Sequence, residues 1–125
     1  MEQLSPNVFV NDINATIEFY KKLGFTVTMT VPDQGDLVWA MMTCGNVSLM
    51  FQTFASLGDT LPDVRRQSGG PLLFYIKLKN IRAFFESVKE KVPVIQGLEK
   101  TFYGATEFSV RDVNDLILTF AEDER

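Results

Sequence analysis

Val8-Phe9-Val10-Asn11-Asp12-Ile13-Asn14-Ala15-Thr16-Ile17-Glu18-Phe19 and Ile76-Lys77-Leu78-Lys79-Asn80-Ile81-Arg82-Ala83-Phe84-Phe85-Glu86-Ser87 read as two versions of one passage. Asp12 falls on Asn80, Ile13 on Ile81, Ala15 on Ala83 and Glu18 on Glu86. Each passage starts as a short strand. It then reaches Asp12 or Asn80, whose side chain can accept a free N–H at a helix start. Apolar residues follow at helical spacing: Ile13, Ile17, Tyr20 and Leu23 in the first copy, Ile81, Phe84, Phe85 and Val88 in the second. A second pair supports the first, since Asn46-Val47-Ser48-Leu49-Met50-Phe51 is similar to Asp115-Leu116-Ile117-Leu118-Thr119-Phe120. A repeat of roughly 60–70 residues is too long for a solenoid unit, so it predicts two copies of one module.

Outward from these passages the first copy reads β-α-β-β-β. Residues 4–10 form a strand, and Gly24 stands at the position after the helix where a left-handed residue is favoured. Phe25–Val31 and Leu37–Cys44 alternate with the period of strands, separated by the turn Pro32-Asp33-Gln34-Gly35. Gly45-Asn46 closes a two-residue hairpin into Val47–Phe54. Residues 55–70 break the pattern, with one helical turn expected at Leu61–Arg66 and the pair Arg65-Arg66 expected to be solvated. The second copy gives a strand at Leu72–Leu78, the helix started by Asn80 and stopped by Pro93, and strands at Val94–Phe102, Thr106–Arg111 and Leu116–Ala121. A turn at Asp112–Asp115 joins the last two, and the charged tail from Glu122 is expected to fray. The expected organisation is one α+β domain over residues 1–125: module 1 at about 1–55, a linker at about 56–70 and module 2 at about 71–122.

Composition limits the chemistry. Of 125 residues, 46% are apolar and 22% charged, a balance that supports a packed core. The net charge of −4 repels nucleic acid and mildly favours a cationic small molecule. No apolar run approaches a membrane span, and the N-terminus shows no basic stretch followed by an apolar one, so a cytoplasmic protein without membrane partners is expected. Cys44, the single cysteine, cannot form an internal disulfide and reads as a small buried apolar residue. There is no histidine, which removes the commonest transition-metal ligand and the usual neutral-pH base.

Val10-Asn11-Asp12-Ile13-Asn14-Ala15-Thr16-Ile17-Glu18-Phe19-Tyr20-Lys21-Lys22-Leu23-Gly24-Phe25 resembles the opening of the vicinal oxygen chelate superfamily, the group of glyoxalases, bleomycin resistance proteins and extradiol dioxygenases. Residues 103–122, Tyr-Gly-Ala-Thr-Glu-Phe-Ser-Val-Arg-Asp-Val-Asn-Asp-Leu-Ile-Leu-Thr-Phe-Ala-Glu, resemble its closing run, W-G-x-x-E-F-x-V-x-D-P-D-G-x-x-L-T-F. Tyr103 replaces the Trp, and Val113-Asn114-Asp115 replaces Pro-Asp-Gly. The resemblance implies two βαβββ modules related by a pseudo-twofold axis in a cupped, incomplete barrel, with members usually homodimeric. The pattern is closest to the bleomycin-resistance-like members. Members that bind metal use His or Gln on a module's first strand and Glu on its last. Those positions fall here on Ser5, Met50, Leu73 and Thr119, which are not metal-binding residues, so no metal and no cofactor is expected.

Strand alternation lists the side chains of the implied cavity. Ser5, Asn7 and Phe9 share a face with Leu37, Trp39, Met41 and Thr43 and with Ser48, Met50 and Gln52. Leu73, Tyr75 and Lys77 share one with Ile117, Thr119 and Ala121, and Phe102 and Tyr103 stand near its mouth. Aromatic and thioether walls with a few polar groups suit a flat or greasy ligand. The expected ligand-binding residues are Phe9, Trp39, Met41, Met50, Gln52, Leu73, Tyr75, Phe102, Tyr103 and Glu107, with no catalytic residue assigned. The same residues can also be core filler, and Glu107 can face solvent on an edge strand. Three functions compete: a metal-free protein that sequesters an aromatic or amphiphilic compound, such as an antibiotic, in a dimer cleft; a glyoxalase- or dioxygenase-like lyase, or an isomerase using Glu107; and an interaction or regulatory module.

Overall fold

The structure, a computed structural model, describes residues 1–124. The order is β1 (Asn7–Val10), α1 (Ile13–Lys22), β2 (Thr26–Val31), β3 (Trp39–Cys44), β4 (Val47–Thr53), α2 (Phe54–Leu57), β5 (Leu73–Lys77), α3 (Ile81–Val88), β6 (Val94–Lys100), β7 (Ala105–Arg111) and β8 (Ile117–Asp123). Two compact units divide the chain after Ser68. Each contains one four-stranded sheet, ordered β1-β4-β3-β2 in the first and β5-β8-β7-β6 in the second. In both, the first strand runs parallel to the last and the other neighbours are antiparallel. The fold class is α+β, built from two βαβββ modules.

In the first unit α1 covers one face of its sheet. Asp12 caps the helix as its sequence position predicts, Oδ1 accepting from the Ala15 N–H at 3.0 Å, and Gly24 takes a φ of +99° just past the end. Val10, Ala40, Met42, Leu49 and Phe51 alternate onto the covered face and are buried beneath Ile13, Ile17 and Tyr20. The Tyr20 ring lies 4.8 Å from Phe51 and 5.6 Å from Phe25. The second unit repeats this with phenylalanine. Phe84 packs 4.9 Å from Phe120, and Phe85 packs 5.0 Å from Phe108, over the buried Leu118 and Val110.

Several local expectations are corrected. Asn80 starts α3 but makes no side-chain cap; its φ is +62°, and the cap comes from Glu122, which accepts the Asn80 and Ile81 N–H groups at 3.0 Å each. Residues 122–124 are therefore held in place and not frayed. β8 runs on to Asp123, and Glu124 pairs with Arg82 at 2.8 Å and accepts from the Thr106 hydroxyl. Arg125 lies outside the described residues. The helical turn expected at Leu61–Arg66 forms earlier, as α2, because the Thr53 hydroxyl accepts the Ser56 N–H at 3.1 Å and caps it. Arg66 is no idle cation: its guanidinium donates to the carbonyls of Gly58, Thr60, Leu61 and Val64. Cys44 is exposed, because it ends β3 at the Gly45-Asn46 turn, at the margin of the sheet. Among the described residues, no helix is long and apolar enough to cross a membrane.

Candidate functional site

The face of each sheet opposite its helix carries the sequence-predicted ligand residues. In the first unit the strand register aligns them in two rows. Asn7, Met50, Met41 and Met29 form one, and Phe9, Gln52, Trp39 and Val31 the other. Alternation along each strand forces this, since the neighbours of these residues are the buried ones under α1. Three thioethers on adjacent strands make a soft, polarizable strip. Gln52 is fixed at both ends of its amide: Oε1 accepts from Asn7 Nδ2 at 3.0 Å, and Nε2 donates to Ser56 Oγ at 3.1 Å. Phe9 stacks on Phe54, with ring centroids 6.0 Å apart.

In the second unit the corresponding rows are Leu73 with Ile117 and Arg111, Tyr75 with Thr119 and Ser109, and Lys77 with Ala121, Glu107 and Glu99. Three predicted residues converge here. The Tyr75 and Tyr103 hydroxyls both donate to Oε2 of Glu107, each at 2.5 Å. Glu107 is half-buried on β7, an interior strand between β8 and β6, and not on the edge strand that is one of its two expected placements. Its hydrogen bonds with the carboxylate raise the pKa of the Tyr75 phenol, with desolvation adding to the effect, and likewise that of Tyr103. Both phenols are thus held as neutral donors. Phe102 stands fully exposed beside them, edge-on to Tyr103 at 5.1 Å. A shallow cleft of about 370 Å³ opens nearby between Lys77, Leu78, Lys79, Ala121, Glu122 and Asp123. Lys77 Nζ lies 3.2 Å from Asp123 Oδ2 in a solvent-exposed ion pair.

The four positions corresponding to metal ligands do not fit a divalent ion. Leu73 has no donor, Met50 offers only a thioether, and the Ser5 hydroxyl accepts from Gln3 Nε2 at 3.1 Å. Thr119 is buried, and its hydroxyl is paired with that of Ser109 at 2.8 Å. An oxygen and nitrogen donor set is not assembled from these side chains. Among the described residues no three His, Cys, Asp or Glu gather as a metal would require.

Sequence reasoning did not foresee the Ser109–Thr119 hydroxyl pair, nor that the carboxylate of Glu107 gathers the two phenols. The spacing of Tyr103 and Glu107, across a turn and into a strand, was the available signal.

The family model for the Glyoxalase/Bleomycin resistance protein/Dioxygenase superfamily matches residues 3–118. The chain belongs to this superfamily. Solved structures of similar fold span nearly the whole length of this superfamily member. TioX from Micromonospora sp. ML1 superposes with a TM-score of 0.78 at 16% identity, covering 98% of this chain and 99% of its own. A protein of unknown function from Agrobacterium tumefaciens str. C58 gives 0.78 at 25% identity, covering 98% and 94%. A bleomycin-binding protein complexed with bleomycin gives 0.68 at 20% identity, covering 99% and 100%. Comparison with curated proteins yields no match.

Proposed function

We propose that this superfamily member is a metal-free binding protein that sequesters an aromatic or amphiphilic small molecule, acting in the cytoplasm as a homodimer whose clefts hold the ligand. One observation carries the reading. The helix-free sheet faces present aromatic and thioether side chains, Phe9, Trp39, Met41, Met50, Tyr75 and Tyr103, beside polar groups already held in place, Gln52 and Glu107. Adaptable apolar walls supply affinity and the fixed polar groups orient the ligand. Leu73 and the exposed Phe102 extend the apolar wall. The likeness in fold to a bleomycin-binding protein supports the same reading, as does a donor set at Ser5, Met50, Leu73 and Thr119 that suits no divalent metal.

The test is a thermal-shift screen of the purified protein against a broad set of aromatic drugs and metabolites, followed by Trp39 fluorescence titration of the hits. A ligand at a hundred times its Kd stabilises by about 2.7 kcal/mol, which is read as a rise in Tm. Hits should be aromatic or amphiphilic, and Trp39→Ala should weaken them. A screen with no stabilising compound overturns the proposal. Light scattering tests the homodimer separately.

A further inference from the structure

We propose that the helix-free face of the second unit holds a subsite for an organic cation, an ammonium or guanidinium group borne by the ligand, formed by Glu107 and the rings of Tyr75, Tyr103 and Phe102. This rests on the small-molecule reading above and adds the charge class of the ligand.

The geometry of Glu107 comes first. Both phenols donate to one oxygen, Oε2. No group among the described residues donates to Oε1, so that oxygen remains for a donor from outside. The two phenols also fix the carboxylate in one orientation, so a ligand meets an acceptor that needs no reorganisation.

Charge is the second argument. None of the four ion pairs among the described residues uses Glu107. Lys77, the cation on its own row, is turned to Asp123 at 3.2 Å. The residue opposite Glu107 on β6 is Glu99, which accepts from Gln96 Nε2 and has no cationic partner among the described residues. Like charges directly opposed across two strands are unfavourable, and a ligand cation beside them relieves that repulsion.

The rings are the third. Phe102 is fully exposed, and Tyr75 and Tyr103 are 46% and 48% exposed, a solvent-exposed aromatic group beside a carboxylate. Ring faces attract cations, and the attraction strengthens as water is excluded. A neutral aromatic ligand uses the rings but leaves the charge of Glu107 unanswered; a cation uses both.

The experiment compares two probes of nearly equal shape, 3-hydroxybenzylammonium and 3-ethylphenol, titrated into the full chain at physiological ionic strength. Binding is followed by calorimetry and by NMR shifts. The ammonium is expected to bind about tenfold more tightly than the neutral probe, with the largest shifts at Phe102, Tyr103 and Glu107. Glu107→Gln, with its fold checked by circular dichroism, is expected to bring that preference below about twofold. Equal binding of both probes to the wild type overturns the cation subsite and leaves the aromatic-binding reading standing. A preference that survives Glu107→Gln undiminished, or shifts that fall on other residues, also overturns it, since Glu107 then supplies none of the selectivity. Binding of neither probe overturns the subsite and counts against the parent reading as well, which the library screen then decides. The NMR mapping uses the wild type alone, so it stands whether or not the variant folds.

Discussion

Glu122 on β8 caps a helix that begins 41 positions earlier, its Oε1 accepting the Ile81 N–H at 3.0 Å. The other oxygen takes the Asn80 N–H, so one carboxylate satisfies two of the free donors at the start of α3. Glu122→Ala should therefore lower unfolding stability by about 1 kcal/mol, near the usual cost of losing a cap. Glu122→Gln should cost less, because its amide oxygen still accepts. Urea denaturation measures both; equal stability of Glu122→Ala and wild type would show that the cap is not needed.

Asn80 and Asp115 both hold left-handed backbone, with φ of +62° and +64°. Asp115 occupies the place where the family's closing motif has Gly, and the turn forms because Asp112 Oδ1 accepts the N–H groups of Asn114 and Leu116 at 2.7 and 2.9 Å. Left-handed backbone costs a non-glycine residue about 1–2 kcal/mol. Asp115→Gly should recover part of that, about 0.5–1 kcal/mol, while Asp115→Val should destabilise. Thermal unfolding of the two variants decides the sign.

The phenols of Tyr75 and Tyr103 should ionise above the ordinary tyrosine range near about 10. The folded state holds both protons while the unfolded chain releases them. Their contribution to stability is thus complete below the unfolded pKa and falls away as pH rises beyond it. Absorbance of phenolate against pH should show delayed titration in the wild type. In Glu107→Gln the Tyr75 and Tyr103 curves should move back toward ordinary values. Unchanged curves would contradict the hydrogen-bonded arrangement.

Arg66 gathers four carbonyls of the stretch from Gly58 to Val64. Arg66→Ala removes all of these bonds and should loosen that segment by about 1–2 kcal/mol, allowing for its solvent exposure. Amide exchange and limited proteolysis should speed up between residues 58 and 66, with little change in global Tm. Arg66→Lys should not rescue, since an ammonium cannot reproduce the planar fork.

The sequence was legible where structure is local. Alternation placed Ala40, Met42, Leu49 and Phe51 on one face and Trp39, Met41, Met50 and Gln52 on the other, and Asp12 and Gly24 bounded α1. What escaped depends on partners distant along the chain. Asn80 has the right chemistry for a cap, yet its left-handed backbone leaves the work to Glu122, a residue whose reach only the β5–β8 pairing supplies. Glu107 and Tyr75 could be assigned to strands, but their meeting requires the order β5-β8-β7, which no short pattern states. The tail misled because charge suggests solvation, while Glu122 and Glu124 are each held by a specific partner.

The hydroxyl pair of Ser109 and Thr119, buried at 2.8 Å, bears on how this sheet can vary through descent. Replacing either residue alone with an aliphatic one strands the other hydroxyl away from water, at a cost of about 1–3 kcal/mol, whereas replacing both is nearly neutral. A lineage drifting toward an all-aliphatic strand centre thus crosses a valley that two simultaneous substitutions avoid. The two positions are expected to change in concert among descendants of this chain, each letter setting which letters the other can take.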